Sequence, residues 1–124
     1  MRFDGVIEDL AGTKGVLACA VVDYESGMIL GGKSPSGIDL DVLAVSNTEI
    51  VRSEVKAIAR MEAGSATPDS IEDILITMGK IYLLLRPMVS SKGLFLFLVL
   101  DKQKANLSLS RHALKEADRN YQDE

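Results

Sequence analysis

The run LFLFLVL at residues 94–100 has no polar position. A strand with one wet face alternates apolar and polar side chains, because successive residues point to opposite faces. Seven consecutive apolar residues in an extended chain must therefore be covered above and below. Two shorter apolar segments precede this one in residues 71–100 (IEDILITMGKIYLLLRPMVSSKGLFLFLVL), at 71–77 and 81–85. Doubly buried strands usually belong to parallel sheets with helical crossovers. Here the connectors, Met78-Gly79 and Ser90-Ser91-Lys92-Gly93, are too short for a crossover and carry glycine, so they make hairpins. The stretch predicts an antiparallel meander with helices on both faces. Its first strand, with Glu72, Asp73 and Thr77, is the most polar of the three and suits a sheet edge.

The remaining residues have to supply those helical layers. Phe3, Val6, Ile7 and Leu10 recur at i, i+3, i+4, i+7 and predict a short helix over 2–11, ended by Gly12 and Gly15. Residues 16–22 read as a strand. A turn at 23–27 follows, Met28 to Leu30 start a second strand, and Gly31, Gly32, Pro35 and Gly37 make a loop. Residues 39–62 form the longest helical pattern. Asp39 is its N-cap, and Asp41 favours the positive end of the helix dipole. Leu40, Leu43, Ala44, Val51, Val55, Ile58 and Met61 share a stripe for the sheet; Glu49, Arg52, Lys56 and Arg60 lie opposite. Gly64 and Pro68 prevent continuation. Residues 102–122 place Leu107, Leu114, Ala117 and Tyr121 at helical spacing, with a tail frayed from Asn120 onward. The expected fold is α+β, a three-layer α/β/α single domain over 1–124. A five-stranded antiparallel sheet carries one long helix on one face and two helices on the other.

Charge and composition narrow the function. The net charge is −4 with both signs mixed along the chain, whereas nucleic-acid binding needs a concentrated basic patch. The one local cluster, Lys102, Lys104, Arg111, His112 and Lys115, is interrupted by Asp101, Glu116 and Asp118. No apolar tract reaches the roughly eighteen residues of a membrane span. The acids in MRFDGVIEDL do not suit a signal peptide, which makes a cytoplasmic location the expectation. The single cysteine, Cys19, sits in VLACAVV and reads as a small buried hydrophobe.

Reactive constellations are scarce. One His and one Cys do not make a Cys/His zinc site. His112 lies beside Arg111 in a helical pattern, with no nucleophile elbow in the chain. Residues 27–34 (GMILGGKS) satisfy the letters of a phosphate loop, but such a loop is an open turn between strand and helix. Here Met28-Ile29-Leu30 form a strand and Pro35 follows at once. The acid pairs Glu8-Asp9, Asp39/Asp41 and Glu72-Asp73 read as surface and capping residues. No catalytic residue, metal ligand or cofactor site is expected.

One feature of the long helix points outward. Ser46, Ile50, Ser53 and Ala57 recur at i, i+4, i+7, i+11 and are mostly small, with Asn47 and Glu54 between this seam and the core stripe. Such spacing keeps a seam aligned with a partner helix, and small side chains allow close approach. A two-fold axis through the seam, with self-pairing of the edge strand (Ile71, Asp73, Leu75, Thr77), describes a homodimer.

Two segments also carry a family resemblance. VVDYESGMIL at 21–30 resembles the VVD-x-x-G-x-x-L opening of the roadblock/dynein light-chain family, and ANLSLSRHAL at 105–114 is similar to its ANLGLAR-x-x-L helix start. The sequence departs at Ser108, where the family often has Gly. The resemblance implies the same sheet and helix order, dimers that join edge strands into one ten-stranded sheet with the two long helices side by side, and association with small Ras-like GTPases. It implies a non-catalytic regulator or scaffold, with Glu49, Arg52, Lys56 and Arg60 presented to the GTPase. Asn106 is expected to bond local backbone and Arg111 to pair with an acid. The alternative is a small-molecule-sensing or general protein-interaction module. A sensor needs a pocket of several hundred Å3 between sheet and helix, whereas the large core residues predict a filled interior.

Overall fold

A computed structural model describes residues 3–121. The order is α1 (Asp4–Ala11), β1 (Val16–Asp23), β2 (Ile29–Lys33), α2 (Leu40–Met61), β3 (Ile74–Thr77), β4 (Ile81–Pro87), β5 (Leu94–Asp101) and α3 (Leu107–Asn120). The five strands form one antiparallel sheet in the order β2-β1-β5-β4-β3. The all-apolar β5 lies at its centre, buried along 94–100. Alternate residues of β5 serve the two faces. Leu94, Leu96, Leu98 and Leu100 join Ile7, Leu10 and Leu114 of α1 and α3. Phe95, Phe97 and Val99 join Ala44 and Val51 of α2. The expected three-layer α+β arrangement is thus what the chain adopts, with α2 alone on one face.

Several boundaries differ from the sequence reading. The first meander strand begins at Ile74, so Ile71 and Asp73 lie outside it. In the β3–β4 register Ile74 faces Leu85, which puts Glu72 opposite Pro87. Proline has no N–H to extend the ladder, and the Glu72 carbonyl instead accepts from Arg86 Nη1 at 3.1 Å. Gly31 and Gly32 are not loop; they are part of β2. A Cβ on Gly31 would lie 3.2 Å from Phe3 Cβ, and one on Gly32 would lie 2.9 Å from Leu40 Cδ1. Glycine is there because both helical layers press on this edge strand.

The helices differ at their ends. Phe3 is the N-cap of α1, and residues 1–2 and 122–124 of the expected terminal helices and tail lie outside the described part. The segment 102–104 is a turn, and α3 starts at Leu107 after Asn106, whose side chain accepts from the Leu109 N–H at 3.1 Å. Tyr121 is not frayed. It is buried, with its ring stacked on Phe3 at 5.1 Å between centroids and 4° between planes. Met61 leaves the α2 stripe and is 75% exposed.

Candidate interaction surface

Helix α2 is started by Asp39, whose carboxylate accepts from the N–H groups of Asp41 (3.0 Å) and Val42 (3.4 Å). The helix lies over β1 and β2 and reaches β4 only at its margin. Ile74 and Ile76 of β3 and Ile81 of β4 point to the α2 side yet remain half-buried, as does Ile50 on the helix flank. An incompletely covered apolar strip therefore lies next to the open edge of β3.

The expected seam residues do not behave alike. Ser46, Ser53 and Glu54 are exposed, and Ile50 and Ala57 are half-buried. Asn47, between the seam and the core stripe, is buried. It is only 2% exposed, and its buried Nδ2 finds no acceptor. Glu49, Arg52, Lys56 and Arg60 all face solvent. On the strand side Leu75 is half-buried toward α1 and α3, and Thr77 is exposed. Asp73 is committed elsewhere, accepting from Arg111 Nε at 3.1 Å and Nη2 at 3.4 Å. Ile71 lines a cleft instead of a strand edge.

That cleft, of about 560 Å3, opens under the C-terminal end of α2. The large core side chains do not predict this space, which lies between the last turns of α2 and residues 68–71 and 87–92. Val55 and Ile58 form its roof, with Ile71, Pro87, Met88 and Val89 around it.

Asp118, which in the sequence only interrupts a basic cluster, anchors the β4–β5 connection. Its carboxylate accepts from Val89 N (2.9 Å), Ser90 N (3.0 Å), Ser90 Oγ (2.7 Å) and Arg86 Nε (2.9 Å). Burial pushes its pKa up, but these four donors outweigh that and hold it below the usual carboxylate value. Its spacing was the available signal: Asp118 stands four residues after Leu114, an acid within the core stripe of α3.

Of the acids expected at the surface, Glu8 and Glu72 pair with lysines. Glu8 accepts from Lys33 at 2.8 Å, and Glu72 pairs with Lys115. Lys33, of the phosphate-loop letters, is thus in a strand and tied to Glu8, which raises its pKa. Cys19 is fully buried, and burial pushes its thiol up to about 11. His112 lies on the exposed side of α3, 3.8 Å from Glu116. Among the described residues no group of three or more His, Cys, Asp or Glu is placed to hold a metal ion, and no helix is long and apolar enough to cross a membrane.

No family model matches the sequence, and no curated protein does. Solved structures do match. The Roadblock/LC7 domain from Streptomyces avermitilis superposes with a TM-score of 0.75 at 8% identity, over 94% of this chain and 91% of that one. The gliding protein MglB from Thermus thermophilus gives 0.75 at 20% identity, over 94% and 83%. An MglB solved in a tetrameric arrangement gives 0.70 at 21% identity, over 94% and 82%. The sheet order, the single long helix on one face and these superpositions together make this a chain of the roadblock/LC7 fold.

Proposed function

We propose that the chain is a non-catalytic homodimeric regulator or scaffold that binds a small Ras-like GTPase. The observation that carries this reading is the unfinished α2 face beside β3. Half-buried Ile50, Ile74, Ile76 and Ile81 adjoin an unpaired sheet edge, and a second copy turned about a two-fold axis would cover the first and extend the second. Ser46, Ile50, Ser53 and Ala57 then form the helix seam, and β3 (Ile74–Thr77) forms the strand contact. The likeness to MglB structures, one of them tetrameric, supports self-association.

In this reading the paired α2 helices form a platform that presents Glu49, Arg52, Lys56 and Arg60. It acts by holding the switch segments of the GTPase or by offering Arg52 or Arg60 to the transferred phosphate in trans. The site is the α2 platform in the cytoplasm; it uses no metal or cofactor.

The test is capture from host lysate loaded with a non-hydrolysable GTP analogue or with GDP, followed by identification of what is bound. Recovery of a small GTPase by the parent and its loss with Arg52→Glu/Arg60→Glu supports the platform. If no GTPase is recovered in either nucleotide state, the reading fails.

A further inference from the structure

We propose that the cleft under the end of α2 binds a small cationic amphiphile, an apolar body of phenylalkyl size carrying an ammonium or guanidinium group. The volume, about 560 Å3, lies within the range of ligand sites, which are apolar clefts with a few polar groups at fixed places. The roof is the continuation of a core stripe. Ala44 and Val51 press the first half of α2 onto the sheet; Val55 packs at the margin of the same core, and both it and Ile58 are only half-buried. Val89, 70% exposed, brings a further apolar surface to the cleft. Apolar groups held in this way are disfavoured in water, and a ligand removes that exposure.

The wall made by the β4–β5 connection is held in place before any ligand arrives. Asp118 fixes the backbone of Val89 and Ser90. The Tyr24 N–H donates to the Gly93 carbonyl at 3.0 Å, tying the β1–β2 turn to the β4–β5 connection. A wall fixed in advance lowers the ordering cost of binding on that side.

The charge around the cleft selects the cation. Glu62 is the C-cap of α2, so its carboxylate adds to the negative end of the helix dipole. Asp69 adds a second acid, and Lys92 is the one base among the residues that line the space. Among the described residues Glu62, Asp69 and Lys92 make no ion pair. Two carboxylates and a helix C-terminus against one ammonium leave a negative potential over an apolar floor. A cationic head over an apolar body matches both.

Three compounds of one shape test this by NMR titration of the purified chain at neutral pH: 4-phenylbutylamine, 4-phenylbutanol and 4-phenylbutyrate. The amine should bind saturably, shift the methyl signals of Val55, Ile58 and Val89, and bind at least about fivefold more tightly than the carboxylate, the discrimination a helix terminus and nearby charges supply. Glu62→Gln with Asp69→Asn should abolish the preference of amine over alcohol. Ala59→Trp, from an exposed helix position that borders the cleft, should abolish binding of all three while the circular dichroism stays that of the parent. Val89→Trp is the second filling variant should the first not fold. No saturable shift, a carboxylate as tight as the amine, or undiminished binding in a folded Trp variant would each overturn the proposal. None of these outcomes involves dimer mass or GTPase capture, so the site stands or falls apart from the proposed regulator.

Discussion

Asp118 and Asn47 are both 2% exposed polar residues in helices, and alanine should act on them in opposite directions. Asp118 has four donors; removing the carboxylate leaves two N–H groups unpaired and takes the carboxylate partner from the Arg86 guanidinium, whose side chain is 11% exposed and keeps only the Glu72 carbonyl. Asp118→Ala should therefore cost about 3 kcal/mol in urea unfolding. Its depressed pKa also gives a pH dependence. The unfolded carboxyl titrates near 4, so the native contribution is complete above that value and is lost as the pH falls through the lower folded one. The parent should weaken on acidification in this window, and Asp118→Asn should flatten that slope. Asn47 is the reverse case, since its Nδ2 is buried with no acceptor. Asn47→Ala removes the orphan and improves helix propensity, so it should stabilise by about 0.5–1 kcal/mol. A lower urea midpoint for Asn47→Ala would reveal a bond to that amide in solution.

Elements were legible in the sequence where periodicity is long, and their ends were not. The unbroken run at 94–100 demanded a covered central strand, and β5 is that strand. The Asp39 cap and the stripe from Leu40 to Met61 mark α2, because cap and pattern agree, although Met61 itself is exposed. The end of β3 was hidden because it depends on Pro87 across the sheet, a register that one segment cannot reveal. Ile71 and Asp73, edge residues by sequence pattern, therefore lie outside the strand. Gly31-Gly32 looked like a loop because glycine serves both turns and close approaches. The approach itself is testable. A Cβ at Gly32 would meet Leu40 Cδ1 at 2.9 Å, the Cys19 carbonyl at 3.1 Å and Ala20 Cβ at 3.2 Å, and the carbonyl belongs to a paired strand. Gly32→Val should cost about 1–3 kcal/mol and speed amide exchange in the first turn of α2. Lys33→Val, one residue on and exposed, should leave that exchange as it is.

At the scale of the whole molecule the two sheet edges are unlike, and this asymmetry predicts which one takes a second copy. The β2 edge is crowded: α1 and α2 close on its glycines, and Lys33 at its end is bound to Glu8. Charged and irregular edges discourage pairing. The β3 edge, ILIT, carries no charge, and its Ile74 and Ile76 are left half-buried by the margin of α2. A dimer built there joins β3 to β3 while Ser53 and Ile50 approach their counterparts across the axis. Light scattering should then give twice the chain mass of 13.4 kDa. Ser53→Glu places like charges across the seam, and Ile76→Lys places them at the strand contact, so each alone should return the mass to that of one chain or lower the dimer affinity at least tenfold. Lys33→Val should leave the mass doubled, because β2 takes no part. A parent that runs as a single chain removes the dimer altogether. A doubled mass that survives both Ser53→Glu and Ile76→Lys moves the contact to another surface. Loss of the dimer with Ile76→Lys alone keeps the strand contact and removes the helix seam, and with it the side-by-side platform on which Arg52 and Arg60 are offered.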